Sequence, residues 1–204
     1  MTDLIVAGAT VHRTPAGAAV GDLFVRGTTI EDEEDHAPSS TAIDGHGASV
    51  VPLFVDTVFA APDPPARDAF DLTPGNPATF AVIDGRVRPD EIRSMLVVRP
   101  ERLRAVVVDG SVIVRDGRAV RPAGAGLDAS DPRLAARTDP RRDMTQFLTP
   151  DGRYSETRGG RRDAWTGRFW IDGARITYLD DSGFWAFGQF HGDQLHHAGF
   201  VLES

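Results

Sequence analysis

Along almost the whole chain, apolar and polar positions alternate in short runs that end at Gly or Asp-Gly. That pattern marks strands joined by tight turns. DLIVAGATVH (3–12) and GDLFVRGTTIED (21–32) each predict a strand, a turn and a second short strand, and TAIDGHGASVVPLFVD (41–56) predicts two more. Between Ala105 and Val120, AVVVDGSVIVRDGRAV carries Asp-Gly pairs at 109–110 and 116–117 that separate three apolar runs. Asp-Gly suits the positive φ angles of hairpin turns, so a three-stranded meander is expected. One short helix is predicted at PDEIRSMLV (89–97), with Asp90 as its cap and Ile92, Met95 and Leu96 on one face.

Two stretches interrupt this rhythm. AAPDPPARDAFDLTPGNPA (60–78) holds five prolines and reads as a loop or extended strap. RPAGAGLDASDPRLAARTDPRRD (121–143) has the composition of an interdomain linker, with one turn of helix near Leu134. Beyond it the strands resume with far more aromatics, at 153–158, 164–171, 174–179, 184–190 and 194–202. Short, evenly spaced antiparallel strands close into a barrel or sandwich. The expected chain is therefore all-β, with a first domain over 1–120, a linker over 121–143 and a second domain over 144–204.

Composition narrows the function classes. The chain has 204 residues, enough for one large or two small domains, with 41% hydrophobic and 25% charged residues. A net charge of -8 and a pI near 5.2 argue against a nucleic-acid or anionic-membrane partner. Cysteine is absent, which excludes disulfides, thiolate zinc sites and a cysteine nucleophile. All 22 basic residues are Arg, so a lysine Schiff base and a P-loop lysine are excluded too. The N-terminal MTDLIVAGATVH has neither a basic leader nor a long apolar run, and a cytoplasmic protein is expected. No G-x-S-x-G, G-x-G-x-x-G or H-E-x-x-H motif occurs.

Two resemblances add to this. DLIVAGATV, GDLFVRGTTI and TAIDGHGASVVPLFVDT, with LTPGNPATFAVID and VVVDGSVIVRDGRAV, resemble the two ends of the composite β-sandwich of the amidohydrolase superfamily. In that superfamily V-P-x-F-V-D leads through Thr into His-x-His, and a metal-bearing TIM barrel lies between the two ends. Here the histidine positions are Val58 and Ala60, and the proline-rich strap stands in place of the barrel. The resemblance thus implies a small sandwich without its metal site, since Val and Ala cannot ligate. PDGRYSETRGGRRDAWTGRFWIDGARITYLDDSGFWAFGQF and LHHAGFVL resemble a small bacterial family with a streptavidin-like antiparallel β-barrel, first described from an Agrobacterium protein. That resemblance implies a fold and a ligand-binding surface. Such a barrel has eight strands, and the sequence marks five or six. Either DMTQFL adds one and the first domain completes the wall, or the barrel is open.

Candidate site residues come from the second domain. In FWAFGQF, strand parity puts Phe184, Ala186, Gly188 and Phe190 on one face and Trp185, Phe187 and Gln189 on the other. One face fills a barrel; a domain interface, a homodimer or a ligand must cover the other. His196 and His197, near His191 and Asp180-Asp181, invite a metal. Adjacent strand residues face opposite ways, however, so no metal site and no cofactor are expected. Glu156, Arg158, Arg161, Arg162, Tyr178, Asp180 and Asp181 form a polar set with two readings. They are surface ion pairs, or Arg158 and Arg161 hold an oxyanion while Glu156, Tyr178, His196 or His197 moves a proton. Trp165, Trp185 and His197 would complete a binding pocket with them. His12, His36 and His46 fall in expected turns and are taken as surface residues.

The leading expectation is binding of a small organic metabolite, anionic or aromatic, by the second domain. A cofactor-independent cyclase, isomerase or lyase using the same pocket is the second, and a structural or assembly module the third. Metal-dependent hydrolysis ranks last, which predicts that chelator treatment leaves no stoichiometric metal by elemental analysis; retained metal would reverse that ranking.

Overall fold

The structure is a computed structural model describing residues 3–14, 17–33, 41–93 and 97–204. The chain is almost wholly β and forms two compact units. Met1–Phe54 with Pro65–Val120 make the first, and Val55–Pro64 with Arg121–Ser204 make the second.

The first unit runs β1 (Asp3–Thr14), β2 (Gly17–Arg26), β3 (Thr29–Glu31), β4 (Thr41–Asp44), β5 (Ala48–Pro52), β6 (Phe80–Asp84), helix α1 (Pro89–Arg93), β7 (Val97–Val98), β8 (Leu103–Val108), β9 (Ser111–Arg115) and β10 (Arg118–Ala119). Its sheet has nine strands in the order β10-β9-β8-β6-β5-β1-β2-β3, with β4 also paired to β1. β1 runs parallel to β4 and β5, and the other neighbours are antiparallel. The alternating apolar residues of these strands meet in one core that includes Leu4, Val6, Leu23, Val25, Ile30, Val50, Phe80, Val82 and Val107. Full burial of each such side chain contributes about 1.5–3 kcal/mol.

Several sequence expectations change in detail. The strand, turn and strand expected over 3–12 is a single strand with a bulge between Val6 and Ala9. Gly8 takes φ 69° there, and its N–H is satisfied by Asp22 Oδ1 at 2.7 Å, which removes the need for a turn. His12, taken as a surface residue, is buried in β1 at 4% exposure. His46 is exposed beside Asp44, and His36 lies outside the described residues. The helix spans Pro89–Arg93, and its first turn is closed by Glu91, whose carboxylate accepts the Arg88 N–H at 2.7 Å, rather than by Asp90. Met95 and Leu96 lie outside the described residues.

The proline-rich strap divides between the two units. Its later part is stitched into the first: Leu72 N–H donates to Arg13 O at 2.7 Å, Gly75 N–H to Ile30 O at 3.0 Å and Ile30 N–H to Asn76 O at 2.9 Å, while Asn76 Nδ2 ties the strap to itself through Asp68 O and Asp71 O at 2.7 and 2.9 Å. Residues 55–64 belong to the second unit and include a 3-10 turn over Asp56–Ala60, with Val58 fully buried.

The second unit runs β11 (Arg137–Asp139), β12 (Met144–Leu148), β13 (Arg153–Arg158), β14 (Arg161–Asp172), β15 (Arg175–Asp180), β16 (Trp185–His191), β17 (Gln194–His197) and β18 (Phe200–Leu202). Each strand pairs antiparallel with the next. Thr138 N–H donates to Glu203 O at 2.7 Å and Glu203 N–H to Thr138 O at 3.0 Å, which joins the first strand to the end of the last. The eight-stranded ring is thus completed by strands of this unit itself, with DMTQFL supplying β12. The stretch expected as one strand over 194–202 is two, because Ala198 and Gly199 turn at φ 53° and 78°.

Residues 121–143, expected as a linker, are built into this unit. Arg121 reaches Ile171 O and Asp172 Oδ1 at 2.8 Å each, Leu127 and Leu134 pack on the barrel core, and Arg137–Asp139 form β11. The expected helical turn is a 3-10 turn over Pro132–Leu134, capped by Asp131. No described helix is long and apolar enough to cross a membrane.

The meander turns carry the φ angles that Asp-Gly predicts, 46° and 74° at Asp109 and Gly110. A Cβ on Gly110 would lie 1.7 Å from Gly27 O. Gly110→Ala is therefore expected to destabilise by at least about 1–2 kcal/mol, the cost of a left-handed non-glycine residue alone, read from urea unfolding. An unchanged midpoint would contradict this packing of the turn.

Candidate functional site

Hairpins at 140–143, 159–160, 181–184 and 198–199 gather at one end of the barrel, since the strands alternate in direction. Inward-facing residues of β12 to β18 fill the ring with one apolar cluster: Met144, Leu148, Tyr154, Phe169, Ile171, Ile176, Tyr178, Ala186, Phe190, Leu195 and Leu202. The parity expected for FWAFGQF holds. Ala186 and Phe190 face this core with Phe184, and Trp185 faces out, its ring centroid 5.3 Å from that of Trp170.

A polar set interrupts the apolar lining. Glu156, on β13, is buried to 1% exposure, and ionised carboxylates are buried only when paired and hydrogen-bonded. Gln146 Nε2 donates to Glu156 Oε1 at 3.0 Å, and Tyr178 OH donates to Gln146 Oε1 at 2.9 Å. Arg158 Nε donates to Glu156 Oε2 at 2.8 Å, and its Nη2 lies 2.6 Å from the same oxygen. Arg158 sits where β13 approaches its hairpin, a third exposed, so it brings a countercharge down from the rim. Its guanidinium lies over Phe200 at 4.8 Å and Trp165 at 5.9 Å, and Trp165 meets Phe184 edge-on at 5.6 Å. Arg–aromatic contacts of this kind hold the cation over the ring faces.

His197 is the other buried group. Its Nδ1 is 3.2 Å from Phe187 O, and a carbonyl can only accept, so Nδ1 carries the proton. Nε2 then presents a lone pair 3.8 Å from Glu156 Oε1, with the ring centroid 4.3 Å from that of Tyr178. Burial holds the His197 pKa below its ordinary value, which outweighs the opposing pull of Glu156. Burial, with Glu156 in support, drives the Tyr178 phenol well above its ordinary range, so it stays protonated.

The remaining sequence candidates lie elsewhere. Asp180 is buried, but its carboxylate accepts from Tyr154 OH and from Ser182 N–H, both at 2.7 Å, which anchors the β15–β16 turn. Tyr154 in turn needs Gly167 opposite, where a Cβ would sit 2.6 Å from its ring. Asp181 is on the surface, paired with Arg153 at 2.6 Å, which lowers its pKa to about 2. Arg161 donates to Ala164 O at 3.0 Å within its own hairpin. His196 faces away from His197, as adjacent strand residues must, and its Nδ1 is 3.1 Å from Thr57 Oγ1. Glu156, Arg158, Trp165, Tyr178 and His197 therefore come together, while Arg161, Asp180, Asp181, Trp185 and His196 do not join them. No group of three His, Asp or Glu side chains suited to a metal occurs among the described residues.

Gln146 and Phe200 escaped the sequence reading of the site, in which Phe184 figured only as part of one face of FWAFGQF. The signal for Gln146 lay in MTQFL, where Met144, Gln146 and Leu148 share one face and the middle residue is polar.

Residues 130–204 match the family described as "Agrobacterium tumefaciens protein Atu4866". Among solved structures, the solution structure of the protein Atu4866 from Agrobacterium tumefaciens is 39% identical, covering 36% of this chain and 94% of that one, with a TM-score of 0.33. No curated protein matches.

Three imidazoles have pKa values held down mainly by burial: His12, His196 and His197. Below about pH 6.5 the unfolded chain protonates these groups while the folded chain resists, so stability is full above that pH and falls as pH drops. The slope limit is about 1.4 kcal/mol per pH unit for each imidazole. Unfolding free energies measured by urea titration between pH 7.5 and 5 are expected to decline; a flat profile would contradict neutral burial.

Proposed function

We propose that the barrel binds a small organic molecule at its hairpin end, with a planar apolar body against Trp165, Phe184 and Phe200 and a hydrogen-bond donor directed at His197 and Glu156. The observation that carries this reading is the His197 Nε2 lone pair facing Glu156 Oε1 at 3.8 Å. Two acceptors held face to face repel unless a donor reaches both, so an N–H2 or O–H group is the complementary chemistry. An anionic group fits less well, because Arg158 is already committed to Glu156. The packed cluster below the polar set restricts a ligand to the mouth.

That same packing supports a second reading, a barrel that serves as a structural module. Proton-transfer catalysis has less support, since Tyr178 is held protonated and Glu156 is tied to Gln146 and Arg158. The amidohydrolase likeness of the first unit stays a reading of strand order, supported by the mixed nine-stranded sheet. It brings no chemistry with it, because Val58 and Ala60 occupy the histidine positions.

Benzamide and benzoate separate these readings in a thermal-shift titration of the full chain. Benzamide should raise the unfolding midpoint, since a ligand at 100 times its dissociation constant stabilises by about 2.7 kcal/mol. Benzoate, which lacks the donor, should not, and Trp165→Ala should abolish the benzamide effect. If neither benzamide, nicotinamide nor aniline moves the midpoint, the structural reading prevails.

A further inference from the structure

A concavity lies on the outer side of the barrel wall. This cleft of about 540 Å³ is walled by the 55–64 segment, by Asp139, Arg141 and Arg142 at the β11–β12 hairpin, and by His196, Val201 and Glu203 along β17, β18 and the residue after it. Its volume falls within the range of small-metabolite sites. None of the residues of the proposed mouth site lines it.

The charges in the cleft are balanced and differently committed. Asp139 is buried, and its two oxygens accept the backbone N–H groups of Arg141 and Val201 at 3.1 and 3.3 Å. Glu203 uses one oxygen, Oε1, to accept from Gln194 at 2.9 Å, which leaves Oε2 for another donor. Arg142 spends Nη1 on Gly199 O at 2.6 Å and lies over Phe200 at 5.3 Å. The Arg141 side chain is exposed, and no hydrogen bond or ion pair engages it among the described residues. At the wall stands His196, fully buried, with Nδ1 against Thr57 and Nε2 lacking any partner.

We infer that this cleft binds a zwitterion, a free α-amino acid with an apolar side chain. Arg141 takes the carboxylate as a planar two-donor partner, Glu203 Oε2 takes the ammonium group, and Ala60, Pro62 and Val201 cover the side chain. Two arginines against two carboxylates give a site with no net charge, so a simple anion meets Asp139 and Glu203 and a simple cation meets Arg141 and Arg142. Only a ligand carrying both charges is matched throughout.

Isothermal titration of the full chain with L-leucine, L-leucine methyl ester and N-acetyl-L-leucine tests this. Leucine should bind, and the ester (no carboxylate) and the N-acetyl compound (no ammonium) should each bind at least tenfold more weakly. Arg141→Gln and Glu203→Gln should weaken leucine by a similar factor; Arg141 is exposed and uncommitted, so its replacement leaves folding intact. Trp165→Ala should leave leucine binding unchanged, which separates this cleft from the barrel mouth. Absence of heat with leucine, alanine and phenylalanine, equal binding of the blocked analogues, or indifference to Arg141→Gln would each overturn the assignment.

Discussion

The paired backbone hydrogen bonds between Thr138 and Glu203 join the two ends of an eight-strand meander, and the chemistry of the second unit depends on that closure. A closed ring has an inside and an outside, and strand parity then assigns every residue to one of them. Glu156, Tyr178 and His197 are drawn together because β13, β15 and β17 all turn those positions inward. His196, one residue away, is sent to the opposite surface and into contact with Thr57. An open sheet would expose its inward face to water, and a carboxylate there would need no partner.

Burial of Glu156 sets the next requirement. A carboxylate removed from water must be matched, and here Gln146 and Arg158 match it from β12 and from the rim of β13 itself. That commitment changes what Arg158 can do. An arginine expected to hold a ligand's oxyanion is instead the internal countercharge of the barrel.

The proline-rich strap follows a related logic. Its residues 65–78 are fastened to the first unit by backbone hydrogen bonds to Arg13 and around Ile30, while 55–64 belong to the second and include the 3-10 turn over Asp56–Ala60. Proline favours this division, because a chain that cannot extend a sheet is free to run between two of them. Thr57, Ala60 and Pro62 of the earlier segment thus supply a wall of the outer cleft.

The sequence by itself determined the all-β class, the strand and hairpin positions of the Asp-Gly meander, the aromatic texture of the second unit and the opposite facing of His196 and His197. These follow from local physics, since a period of two, the φ preference of Asp-Gly and the stiffness of proline act within a few residues. It missed β11, because Arg137–Asp139 is too short and polar to show a period and becomes a strand only through pairing with β12 and Glu203. It likewise placed His12 in a turn, since nothing near His12 reveals that the bulge at Gly8 carries β1 onward into the core. Which polar residues share a site was decided by the tertiary structure alone: Gln146, Glu156, Tyr178 and His197 meet across four strands, and only ring closure fixes the register that puts their atoms within reach.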